Sequence, residues 1–125
     1  MIRTLMPLAL AGAALAFTAS ASADDVEHYA GKEAKTLEQA VANLDEYNAR
    51  LDAVLNNGEL TDDDLAKAHE LSYTIENALK RIQTELGTLA GDLETMHLSS
   101  ERGEADTALK HGNAYLEQAR TLTGE

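Results

Sequence analysis

The chain has 125 residues, with 22 acidic against 10 basic side chains and no cysteine. The net charge of -12 argues against binding to nucleic acid or to anionic lipid, because both need clusters of Lys and Arg. Without cysteine, the chain can form neither disulfides nor thiolate metal sites, and thiol chemistry is excluded. Stability must therefore come from packing or from a partner.

The first 23 residues have the pattern of a secretory signal peptide. Arg3 lies in a short basic start, an apolar run follows over residues 5–17, and the small residues ASA end the segment at Ala23. The apolar run is shorter than the ~20 residues of a permanent membrane span, which argues against a retained anchor. We therefore expect cleavage after Ala23 and release of a periplasmic protein that has no membrane attachment.

The rest of the chain predicts an all-α fold, an antiparallel three-helix arrangement with a long central helix. An extended N-terminal segment over 24–36 is expected to precede a helical domain over 37–125. Thr36 and Gln39 have the spacing of a capping box, which predicts a helix start. Apolar residues then recur at steps of three and four, a period that only a helix places on one face. The predicted helices cover about 37–57, 61–98 and 104–122.

The central helix has the clearest pattern, a four-three alternation of apolar residues that predicts a coiled-coil-like seam. Its members are Leu65, Ala68, Ser72, Ile75, Leu79, Ile82, Leu86, Leu89, Leu93 and Met96. Gly87 and Gly91 each cost a helix ~1 kcal/mol relative to Ala. The helix therefore either continues through these glycines or bends between them.

One flank of the first helical hairpin is apolar and is expected to have no intrachain cover, because the third helix pairs with the far end of the second. The residues of this flank are Ala40, Tyr47, Val54, Leu71 and Ala78. A two-helix hairpin with an exposed apolar flank is marginal in water. We therefore expect a homodimer through this flank, or the docking of another periplasmic helix. The alternative is a bend at Gly87–Gly91 that closes a three-helix bundle.

Glu94, His97 and Glu101 are spaced three and four residues apart, so on a helix they form one stripe of oxygen and imidazole ligands. His28 could approach His97 if the extended segment runs along the central helix. Two imidazoles with carboxylates suit zinc, copper or nickel. The simpler interpretation is an exposed histidine among acids, which is a common helical charge pattern. Metal binding is therefore the alternative to an interaction role.

Enzyme chemistry finds little support. The sequence contains no nucleophile elbow and no Gly-rich phosphate loop, and thin helices do not enclose a substrate pocket. His69 is expected to pair with Asp52 across the first hairpin. His111 has no acidic residue four positions away on either side. We therefore expect neither catalytic residues nor a cofactor.

Three long segments of the chain carry a family resemblance. They are HYAGKEAKTLEQAVANLDEYNARL, ELTDDDLAKAHELSYTIENAL and LETMHLSSERGEADTALKHGNAYLEQA. They resemble a family of small, exported, all-helical bacterial proteins known only as a domain of unknown function. The resemblance covers most of the mature chain and implies export and a helical fold. It implies no activity, ligand or site residue.

The metal hypothesis makes a direct thermal prediction. If His28, Glu94, His97 and Glu101 bind zinc or copper, saturating metal raises the melting temperature of the chelator-free protein. The physical reason is that a ligand bound only by the folded state stabilises that state by mass action. Elemental analysis followed by melts with and without metal measures the effect. An unchanged melting temperature removes the hypothesis.

Overall fold

The computed structural model describes residues 29–125, which form three α-helices joined by two short loops. Helix α1 is Leu37–Leu55, α2 is Asp62–Glu101 and α3 is Ala105–Thr123. This order confirms the predicted all-α fold with a long central helix. The predicted signal peptide over 1–23 lies outside the described residues, as does the start of the extended segment. Within 29–125, no helix combines the length and the apolar character that a membrane span requires.

Side-chain capping explains where α1 and α2 begin. The Thr36 hydroxyl accepts a hydrogen bond from the Gln39 backbone N–H at 3.2 Å. The Gln39 side chain accepts from the Lys35 N–H at 2.9 Å, one residue earlier than a capping box requires. At α2 the box is complete, because Asp64 donates its N–H to the Thr61 hydroxyl and accepts from the Thr61 N–H. The Thr61 hydrogen bonds lower the pKa of the Asp64 carboxyl.

Helix α2 has 40 residues, whereas α1 and α3 have 19 each, so each shorter helix packs along a different half of α2. The α1–α3 contact is slight compared with the contact that either makes with α2. Helix α2 runs unbroken through Gly87 and Gly91. A closed three-helix bundle is therefore not formed, and the two half-length hairpins share one central helix.

The extended segment over 29–36 lies against α2 and is fixed there through its backbone. The Thr74 hydroxyl, fully buried, accepts from the Lys32 N–H at 2.9 Å. The Asn77 side-chain amide donates to the Ala30 carbonyl at 3.1 Å and to the Lys32 carbonyl at 3.2 Å. Polar side chains of α2 thus satisfy backbone groups that have no secondary structure of their own.

Two further side chains complete this attachment. Arg81 donates from Nε to the Ala34 carbonyl at 3.0 Å. From α1, the buried Asn43 amide donates to the Glu33 carbonyl at 3.4 Å. Ala34 itself joins the small buried core. The described part of the extended segment, residues 29–36, is therefore packed against the helices.

The flank that was expected to be open is partly closed by this segment. Ala40 and Ala78 are 0% exposed and pack with Ala34, so the prediction that they form an open surface is wrong. Tyr47, Val54 and Leu71 remain half-buried and line a shallow depression of about 270 Å³. The prediction failed because the cover is a stretch of backbone, which a search for apolar helix faces does not detect.

The seam predicted for α2 is divided in the structure. The seam consists of two rows of residues, and within each row the spacing is seven. One row faces the neighbouring helices and is buried or half-buried. These residues are Ala68, Ile75, Ile82, Leu89 and Met96. The other row is only half covered, since Leu79 and Leu86 are each 49% exposed. The periodicity therefore predicted the helix correctly, but only one of the two rows of the seam lies in the core.

Gly31 allows the extended segment to approach α2 closely. Its φ is +68°, and a Cβ there would lie 2.8 Å from the Tyr73 carbonyl carbon. We expect Gly31→Ala to lower the free energy of unfolding by more than the ~1 kcal/mol that positive φ alone costs. Gly58→Ala is the control, because Gly58 has φ +102° with nothing within 4 Å. Urea unfolding of both variants measures the difference, and equal losses would contradict the close approach.

Candidate functional site

Four leucines of α2 form an exposed row, which we call the leucine stripe. They are Leu65 at 54% exposure, Leu79 and Leu86 at 49% each and Leu93 at 40%. Their spacing is seven residues, or fourteen where Ser72 occupies the intervening position. Residues seven apart on a helix lie nearly above one another. Leu79, Leu86 and Leu93 therefore form one apolar row along α2, and Leu65 lies beyond Ser72.

Helix α3 widens this surface beside the C-terminal half of α2. Leu109 is 65% exposed and Leu116 is 44% exposed. With Leu93 and Met96 of α2 they line an open apolar groove of about 360 Å³. A Cβ at Gly112 would lie 3.2 Å from the Met96 side chain, so the two helices pack closely beneath the groove. Stripe and groove meet at Leu93.

The middle of the surface carries no charge. Residues 86–91 read LGTLAG, and all of them except Leu89 are exposed, in a chain whose charged residues make up 26%. The preceding Glu85 forms an ion pair with Arg81 of the same helix, in which Arg81 Nη1 lies 3.4 Å from Glu85 Oε1. Exposed helix faces in an acidic protein are ordinarily solvated by charge. This one resembles the uncharged centre of a protein–protein interface.

The proposed metal ligands are not gathered into a site among the described residues. His97 Nε2 lies 3.3 Å from Glu101 Oε1, and both side chains are largely exposed. Glu94 is also exposed, and residues 29–125 contain no group of three or more His, Asp or Glu side chains arranged to hold a metal. His28 lies outside the described residues. The His97–Glu101 pair fits the simpler interpretation as a helical ion pair.

Two other histidines have partners that sequence reasoning missed. His111 Nδ1 lies 2.8 Å from Asp92 Oδ1, a half-buried link between α3 and α2. The pair is 19 residues apart, so a search at helical spacing did not detect it. His69 Nε2 is 3.2 Å from the Tyr73 hydroxyl rather than paired with Asp52.

Leu86 and Leu89 are three residues apart and lie on different faces of α2, Leu86 on the exposed face and Leu89 on the buried face. Leu89 is 6% exposed, so we expect Leu89→Ala to cost about 2–5 kcal/mol of unfolding free energy. Leu86→Ala is expected to cost well under half as much, because half of its surface already contacts water. Chemical unfolding at low protein concentration measures both losses without a contribution from association. Equal losses would show that Leu86 is a core residue.

The described residues therefore present an apolar surface, formed by the leucine stripe and the groove beside it. A comparison with curated proteins gave no match, and a comparison with solved structures gave none either. A family model described as a family of unknown function (DUF6746) matches residues 1–124. The resemblance to a domain of unknown function is thereby confirmed. Because the match spans nearly the entire sequence, the chain belongs to this family.

Proposed function

We propose that the chain is an exported, periplasmic protein–protein interaction module and that the leucine stripe, with the groove beside it, is its binding surface. The observation that carries the proposal is the row of half-exposed leucines on α2, in which Leu79, Leu86 and Leu93 are spaced seven residues apart. Single exposed leucines are common on protein surfaces, but a contiguous row of them marks an interaction site. The role proposed is binding and not catalysis.

The free energy available from covering the exposed leucines supports this proposal. Complete burial of a leucine is worth about 1.5–3 kcal/mol. Six leucines of the surface, four on α2 and two on α3, retain 40–65% of their exposure. Covering them would supply on the order of 5 kcal/mol before the costs of association are subtracted. That is a substantial amount for a small domain whose net stability is about 5–15 kcal/mol.

The charge distribution also supports binding through this surface. The chain as a whole is strongly acidic, which keeps it soluble while the apolar stripe is open. The uncharged stretch over 86–91 removes the desolvation cost that buried charges would impose at the centre of an interface. Export is proposed from the signal-peptide pattern that ends at Ala23. Release into the periplasm would bring the surface to partners in that compartment.

Leucine-to-lysine substitutions test the proposal. Immobilised protein is exposed to a periplasmic extract that also contains the free chain. We expect wild type to retain at least one protein that the double variant Leu86→Lys, Leu93→Lys does not, because lysine cannot be buried unpaired. The matched control is Leu60→Lys in the loop after α1, since Leu60 is 41% exposed and Leu93 is 40% exposed.

Circular dichroism of all variants confirms that helices are retained before binding is compared. Retention that is the same for wild type and the double variant would overturn the proposal. Retention lost equally in Leu60→Lys would show that added charge, and not the surface itself, is responsible.

A further inference from the structure

We propose that the partner bound by the leucine stripe is a second copy of this chain, lying antiparallel across a two-fold axis near Leu86 and Gly87. This inference rests on the proposed function and names its partner. The proposed dimer differs from the one expected from the sequence. Its contact surface lies on the opposite edge of α2 from the flank that includes Ala40 and Ala78. Three features of α2 carry it: the leucine spacing, the glycines and the charges.

The leucine spacing is symmetric about Leu86. Leu79 lies seven residues before it and Leu93 seven residues after it. When a helix is reversed about Leu86, Leu79 faces Leu93 of the second copy and Leu86 faces itself. A two-fold axis requires this self-complementarity, since the same patch must serve both partners. The three layers would span about 21 Å of helix.

Gly87 and Gly91 allow the two helices to approach closely. A glycine inside a helix is destabilising relative to alanine, so its presence needs a reason. No such reason lies within the described chain, because a Cβ at either glycine would meet nothing within 4 Å. The exposed Ala90 lies between them in sequence, and no charged residue is present over 86–91. Small residues on a helix surface let a second backbone approach.

Charges on either side of the glycines select the antiparallel orientation. Lys80 lies seven residues before Gly87 and Glu94 seven residues after it, and both are exposed. With the two-fold axis between Leu86 and Gly87, Lys80 lies within about 1.5 Å of Glu94 of the second copy along the helix direction, and this pair occurs twice. The same register brings Glu76 near His97, although His97 already has Glu101 at 3.3 Å. A parallel pair would instead oppose Lys80 to Lys80 and Glu94 to Glu94, which is repulsive.

The size of the surface matches what a stable dimer needs. The α2 part of the face is about 40 Å long and the α3 part about 28 Å long, and each helix adds about 10 Å of width. The area is therefore on the order of 700 Å² per copy, close to the ~800 Å² that each partner contributes to a specific interface. Leu109 and Leu116 extend the apolar part of the face onto α3.

Engineered cysteines test both partner and orientation, because the natural chain has none. Full-length mature Lys80→Cys and Glu94→Cys chains are oxidised separately and as an equal mixture. We expect the mixture to form disulfide dimers at least about tenfold faster than either variant alone, since a bound partner raises the local thiol concentration. Gly87→Cys, near the axis, should link to itself. Ala53→Cys, on the exposed side of α1, is the control and should not.

Each other outcome overturns the inference. Faster linking of Lys80→Cys with itself than in the mixture would indicate a parallel pair. Linking of Gly87→Cys no faster than Ala53→Cys, together with a monomeric mass for wild type by sedimentation, would exclude a second copy. If the stripe still retains another protein from the extract in that case, the interaction function stands and only the partner is wrong.

Discussion

The length of α2 constrains everything else in this protein. At 40 residues it is about 60 Å long, whereas the 19-residue helices α1 and α3 are each about 28 Å. Two short helices laid end to end can cover one side of α2 but cannot surround it. The remaining sides are open to other cover, and among residues 29–125 such cover lies on one side.

That cover is the extended segment over 29–36, whose backbone is bound by polar side chains of α2. Thr74 and Arg81 act on successive parts of it, and the segment buries Ala40 and Ala78. On the opposite edge no described segment plays this role, and the leucine stripe remains half-exposed. The asymmetry between a covered and an uncovered edge is what makes the uncovered edge a candidate binding surface.

Helix positions could be predicted because caps and periodicity are local properties. Thr36 and Thr61 mark the two starts, and the apolar period fixed the type of element. Which face of α2 is buried could not be predicted, because a heptad pattern does not distinguish a seam within one chain from a seam between two. The contacts of the extended segment with α2 and the His111–Asp92 pair join residues that are 19 or more positions apart, and no local pattern encodes them. The spacing of Glu94, His97 and Glu101, by contrast, is a local pattern that predicted a metal site. An exposed ion pair between His97 and Glu101 is sufficient to explain it.

The central claim is that the stripe is open in a single chain and becomes covered when chains associate. Leucine methyl resonances measured with a soluble paramagnetic agent over a concentration series test it directly. In dilute samples the methyl groups of Leu79, Leu86 and Leu93 should be strongly broadened, and they should sharpen as concentration rises, while those of Leu37 and Leu89 stay sharp throughout. If Leu86 and Leu93 are as sheltered as Leu89 in the dilute sample, the stripe belongs to the core of one chain and the account is contradicted.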